Sequence, residues 1–286
     1  MKKLLTVLLA TLVCIILQAQ SDYAKYTEDD KFIFNSLIKK ILSEKSPDNE
    51  YSKLIPQTGK YLLGLPYVAH TLECENEIMT VNFLELDCTT FVENVVVLAT
   101  LAKTSQTDFE AYLQQLKNFR YRNGKVDGYA SRIHYFSDWI VTNEARGFVK
   151  NVTKEIGGEP YVKTINYMTQ NSEKYPRLAD RQTFDKIKLS EENLNRHKHY
   201  YVPKTKVAEI EKNIQEGDLI AITCNTEGLD ITHTGLAVRQ NGRIHLMHAS
   251  MSGKKVMISD EPLHDYLAKN SRNTGIMIAR VIFDNK

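Results

Sequence analysis

Two periodicities divide this chain. From Tyr26 to about Arg120 apolar residues recur at helical spacing: Phe34, Leu37, Ile38, Ile41 and Leu42 share one face, and Thr107 with Glu110 reads as a capping box ahead of Leu113 and Leu116. From Gly217 onward the period becomes two. "DLIAITC", "THTGLAVRQ", "RIHLMHAS", "KVMISD" and "GIMIARVIF" read as five strands, with a short helix near "EPLHDYLAKN". Asn241-Gly242 between the second and third strands is a type I′ hairpin signal. The stretch from Tyr121 to Lys206 is mixed: a turn at "RNGKVDGY", an aromatic-rich "YASRIHYFSDWIV", a strand-like "YVKTINYM" and a helical "DRQTFDKIKLSEENLNRH". The layout is α+β, a helical first part and a C-terminal antiparallel sheet.

The N-terminus changes the setting. Lys2 and Lys3, an apolar run from Leu4 to Leu17 and a polar turn at Ser21 read as a signal peptide over 1–20. The run is shorter than the roughly 20 residues a spanning helix needs. Val13 before Cys14 does not suit a lipoprotein signal. Export to the periplasm is therefore expected. Removing Lys2 and Lys3 from the 37 basic residues leaves 35 against 35 acidic ones, so charge gives no reason to expect nucleic acid or anionic membrane as a partner. Residues 21–286 contain no repeat, low-complexity tract or linker and are expected to form one domain and a monomer.

Export makes spare thiols informative, because the compartment is oxidising. Cys74, Cys88 and Cys224 remain, an odd number that leaves at least one unpaired; Cys74 and Cys224 are candidates for a disulfide or for two buried thiols. Cys88 stands in "LDCTTFVE", where Asp87 is a good N-cap and Phe91, Val95 and Leu98 follow on one face. It is thus the first residue of a helix, where unsatisfied N–H groups favour an anion and are expected to lower a thiol pKa.

A nucleophilic thiol needs a base, and the base needs an orienting partner. With Asn241 and Gly242 as a two-residue turn, Gln240 pairs with Arg243, Gly235 lies opposite His248, and His233 lies opposite Ser250. His233 and His248 then share a face as diagonal neighbours, while His245 points away opposite Val238. Gly235 leaves room for the His248 ring. His233 is assigned as base and His248 as orienter. His197 and His199 read as a solvated loop, and His70, His134 and His264 have no identifiable partner. Cys88, His233 and His248 are also standard zinc ligands, an alternative that would resemble a catalytic zinc centre.

These pieces, "GLPYVAHT", "LDCTTFVE", "EGDLIAI", "THTGLAV" and "RIHLMHAS", resemble the NlpC-type papain-like cell-wall cysteine hydrolases. The resemblance implies a nucleophile helix packed on an antiparallel sheet, Cys88 as nucleophile, His233 as base, His248 as orienter and Tyr67 as a site-lining oxyanion group. It requires no metal or cofactor. Two departures stand out: Thr89-Thr90 in place of Ser-Gly after the cysteine, and a long insertion over 103–216. The insertion resembles the N-acetylmuramoyl-L-alanine amidase-like branch. That branch implies cleavage between N-acetylmuramic acid and L-alanine in muropeptides, with Arg132 and Trp139 as candidates for binding stem-peptide carboxylates and sugar. The alternatives are a γ-D-glutamyl-diamino acid endopeptidase and a non-catalytic wall-binding protein.

Overall fold

The computed structural model describes residues 23–45 and 50–282; the expected signal peptide and Cys14 lie outside them. A two-residue strand β1 (Ala24–Lys25) leads into helix α1 (Glu28–Glu44). Thr27 caps α1 reciprocally with Asp30, and the helix buries Phe34, Ile38 and Ile41. Helix α2 (Tyr51–Lys60) follows, then a long loop carrying strand β2 (Met79–Thr80), which pairs with β1 in parallel.

Helix α3 (Cys88–Lys103) is the centre of the molecule, with every residue from Thr90 to Ala102 buried. A helix apolar all round must be enclosed by other elements. Helices α1, α2 and α4 (Phe109–Arg120) pack on it from one side and the sheet from the other. Asp108, not Thr107, caps α4, accepting from Glu110 N at 3.3 Å. The start is therefore one residue later than the Thr107–Glu110 box implies. The buried Glu93 of α3 pairs with Arg120 of α4 at 2.7 Å.

The mixed segment supplies α5 (Phe136–Ala145), β3 (Val149–Asn151), β4 (Glu159–Pro160), α6 (Tyr167–Gln170), α7 (Arg181–Leu194), β5 (Tyr200–Pro203) and α8 (Val207–Ile210). "YVKTINYM" is not a strand. Beyond β4 and Tyr161 it runs as loop to the single turn of α6, where Tyr167 N bonds to Gly228 O at 3.0 Å instead of to a sheet partner.

The C-terminal strands are β6 (Leu219–Cys224), β7 (Ile231–Gln240), β8 (Arg243–Ser250), β9 (Lys255–Pro262) and β10 (Asn273–Val281), with α9 (Leu263–Ala268) before β10. The eight-stranded sheet has the order β4-β5-β10-β6-β7-β8-β9, with β3 also on β10. All its pairings are antiparallel. The insertion thus contributes β3, β4 and β5 to the same sheet. Alternation sends Leu219, Ala221, Leu236, Val238, Met247 and Ala249 toward the α3 side. Ile220, Ile222, Ala237, Ile244 and Leu246 face a second core with Leu263 and Leu267 of α9. No helix among the described residues is long and apolar enough to cross a membrane.

Candidate active site

The α3 N-terminus is fixed by a reciprocal cap. Thr90 N donates to Asp87 Oδ1 at 2.7 Å and Asp87 N donates to Thr90 Oγ1 at 2.9 Å. Thr90, a departure in sequence, is the partner that completes this cap. Cys88 is consequently the first helical residue, half-buried, beside Thr89 and the start of β7.

The thiol does not follow the helix-dipole expectation. Burial first, then the Asp87 carboxylate, pushes it up to about 11, against weaker opposing hydrogen bonds from Thr234 and Thr89. Desolvation by the packed sheet outweighs the favourable helix end. The resting group is a neutral thiol.

The two histidines meet across the hairpin. Gln240 pairs with Arg243 and Val238 with His245. His233 Nε2 lies 2.5 Å from His248 Nδ1, with the rings edge to face at a centroid separation of 4.8 Å. Gly235 makes this approach feasible: a Cβ there would lie 2.6 Å from Met247 O and 3.0 Å from His248 Cβ. Burial, then the neighbouring His248, lowers His233 to about 3. Burial lowers His248 to about 4, opposed by Glu261. Both imidazoles are neutral near pH 7. Their contact uses Nε2 of His233 and leaves its Nδ1 without a hydrogen-bond partner among the described residues. His245, on the other face, contacts Ser259 O through Nδ1 at 2.9 Å.

Tyr67 is held at the helix start: the 66–68 segment bonds to Leu86 just before the cap, and Tyr67 N donates to Lys254 O at 3.0 Å. Burial, then the neighbouring Cys88 sulfur and the Asp87 carboxylate, both of which oppose a phenolate beside them, raises its hydroxyl pKa.

A cavity of about 220 Å³ contains Cys88 and His233, with walls from Tyr129, Phe136, Trp139 and Tyr175 of the insertion. Trp139 forms part of the wall, stacked between Phe119 and Phe136 at 5.7 and 5.2 Å. Arg132 does not line it. Its guanidinium is buried against Glu73 at 2.8 Å and Glu77 at 3.2 Å, and Glu73 in turn stands at the cavity wall.

Several residues of the site had no sequence signal. Asp230 accepts from Ser137 N at 2.8 Å and Ser137 Oγ at 2.7 Å, tying the start of β7 to the N-terminus of α5, which lacks a side-chain cap of its own. His134 packs on Tyr129 at 4.3 Å, and burial lowers it to about 3. Tyr266 of α9 meets His248 edge to face at 5.3 Å. An α9 register could have pointed to Tyr266, but Asp230 and Glu73 depend on distant packing. His199, expected in a solvated loop, is buried with Nε2 3.0 Å from Leu194 O, while His197 is exposed. Cys74 and Cys224 are unbridged, and Lys163 Nζ donates to Cys224 O at 2.7 Å.

A thiol at a capped helix start, sharing a cavity with a neutral imidazole that a second imidazole orients, suits acyl transfer from an amide. Residues 57–276 match the family described as AmiA-like, N-acetylmuramoyl-L-alanine amidase-like, and the chain belongs to it. It is similar to the crystal structure of an N-acetylmuramoyl-L-alanine amidase from Bacteroides uniformis: 38% identity, TM-score 0.78, 82% of this chain and 99% of that one covered. A putative xylanase from Bacteroides fragilis is similar at 34% identity and TM-score 0.73, covering 78% of this chain and 99% of that one. A Legionella pneumophila protein, 22% identical with TM-score 0.66 over 90% of this chain and 97% of its own, shares the fold. No curated protein matches the chain. The family supports an amidohydrolase acting on peptidoglycan.

Proposed function

We propose that the chain is a cysteine-dependent N-acetylmuramoyl-L-alanine amidase of the papain-like NlpC type, acting on muropeptides after export to the periplasm. The observation that carries this reading is the 2.5 Å His233–His248 contact, made beside a cavity that also holds the capped Cys88. In the resting state His233 Nε2–H donates to His248 Nδ1, so His233 Nδ1 has a lone pair free to accept a proton.

As Cys88 Sγ attacks the lactyl carbonyl, its proton passes to His233 Nδ1. The imidazolium is stabilised through its Nε2–H bond to His248. Charge on the carbonyl oxygen is met by the backbone N–H of Cys88 and by Tyr67, donors of a kind often worth about 2.7–4 kcal/mol each. His233 then gives its proton to the nitrogen of L-alanine, the C–N bond breaks, and a thioester remains. Water, deprotonated by His233, attacks it; the acid leaves and the thiol is restored. Because thiol and imidazole are both neutral at rest, proton transfer accompanies attack and is not set up beforehand. Trp139 and Phe136 form the wall against which the sugar rests. Arg132 acts by holding Glu73 in place.

The test is to trap the thioester. Acid quenching of enzyme mixed with a disaccharide tetrapeptide should give a Cys88 peptide carrying the muramoyl acyl group by mass spectrometry, absent in His248→Ala at equal times. Hydrolysis undiminished in Cys88→Ala, or activity lost to a chelator and spared by a thiol alkylator, would overturn it.

A further inference from the structure

The cleft has a second chamber, of about 610 Å³, on the other side of His233. It shares only Thr232 and His233 with the thiol chamber, and Cys88 is not on its wall. His233 must return the thiol's proton to the departing nitrogen, so the amine leaves over His233. Because His233 lines both chambers, the second one is open to whatever is attached to that nitrogen.

The chamber's charged groups are not equally available. Lys269 is paired with Glu261 at 2.6 Å. Both histidines on the wall are held neutral. Arg272 lines the chamber, is exposed, and makes no side-chain ion pair or hydrogen bond among the described residues. Its backbone is nevertheless anchored: Arg272 N donates to Asn270 Oδ1 and Arg272 O accepts from Asn225 N, both at 3.0 Å. An unspent guanidinium fork on an anchored backbone matches a carboxylate bidentately. Asp260, exposed on the same wall, makes no ion pair among the described residues either, so the chamber presents both signs. A stem peptide with γ-linked D-glutamate and a diamino acid carries both.

We propose that Arg272 is a specificity-determining residue that binds the α-carboxylate of the stem's D-glutamate on the departing side of the cleft. This rests on the amidase reading above.

The experiment uses two muropeptides identical except for D-glutamate or D-isoglutamine at the second stem position. kcat/KM is followed by release of the L-alanine amino terminus. Wild type prefers the carboxylate form by about tenfold, the scale of a charge-assisted hydrogen bond. Arg272→Gln brings the ratio to near one by slowing only the carboxylate substrate, and Arg272→Lys keeps part of the preference. A wild-type ratio near one, or an unchanged ratio in Arg272→Gln, overturns the assignment while leaving the amidase reading standing. Failure of wild type to free L-alanine from either substrate overturns both.

Discussion

Asp87 does two opposed things to the nucleophile, and two substitutions separate them. As N-cap it accepts from Thr90 N at 2.7 Å and so fixes the first turn that carries Cys88. As an anion it is the second cause, after burial, of a thiol held at about 11. Asp87→Asn keeps an acceptor and removes the charge; Asp87→Ala removes both. Loss of a cap costs about 1 kcal/mol, or roughly 2–4 °C in melting temperature for a chain of this size, while Asn caps nearly as well as Asp. At pH 7 a thiol at about 11 is thiolate on the order of one part in ten thousand. Each unit by which it falls multiplies the thiolate about tenfold and, after the accompanying loss of nucleophilicity, the alkylation rate about threefold. The expected pattern is therefore a thermally near-neutral Asp87→Asn whose Cys88 alkylates faster than wild type, and an Asp87→Ala that melts earlier. Iodoacetamide kinetics between pH 7 and 9, with mass mapping to the Cys88 peptide to exclude Cys74, reads the first; calorimetry reads the second. If Asp87→Asn melts as early as Asp87→Ala, or alkylates no faster than wild type, this account of Asp87 is wrong.

Gly235→Ala places a Cβ 2.6 Å from Met247 O and 3.0 Å from His248 Cβ. It should cost about 1–3 kcal/mol in denaturant unfolding and lower kcat more than KM by moving His248; unchanged kcat would separate the glycine from the histidine contact. Removing one partner of the buried Glu93–Arg120 pair, as in Arg120→Met, should destabilise by about 3–5 kcal/mol by urea unfolding, and a loss under 1 kcal/mol would contradict the pairing. His134, His233 and His248 are folded at about 3, 3 and 4, below their unfolded value near 6.5, so the unfolded chain binds more protons between those limits. Their contribution is full above about pH 6.5 and lost as pH falls, by up to about 1.4 kcal/mol per unit for each ring. Urea midpoints should be flat from pH 8 to 7 and decline below 6.5; midpoints level down to pH 5.5 would contradict the burial of these rings.

What was legible in the sequence was what short-range geometry governs. Asp87 announces a helix start, and Asn241-Gly242 fixes a register in which His233 and His248 share a face and His245 does not. What was not legible depends on distant packing. The helix end alone favours a thiolate at Cys88, but the sheet packed over it desolvates the sulfur and reverses the direction. Arg132 looked available for a substrate carboxylate, yet Glu73 and Glu77, more than 50 positions away, occupy it. "YVKTINYM" alternates like a strand, and only its docking on Gly228 shows why it is loop and turn. Asp230 reaches Ser137 from 93 positions away, and no local pattern signals that contact.

The central claim is that Cys88, His233 and His248 cut the amide between N-acetylmuramic acid and L-alanine. Mass spectrometry of products from a defined disaccharide tetrapeptide tests it most directly. The account predicts free disaccharide and a tetrapeptide with an L-alanine amino terminus from wild type, and neither from Cys88→Ala. A newly exposed diamino acid amine, or a cut glycosidic bond with the stem still attached, would contradict it.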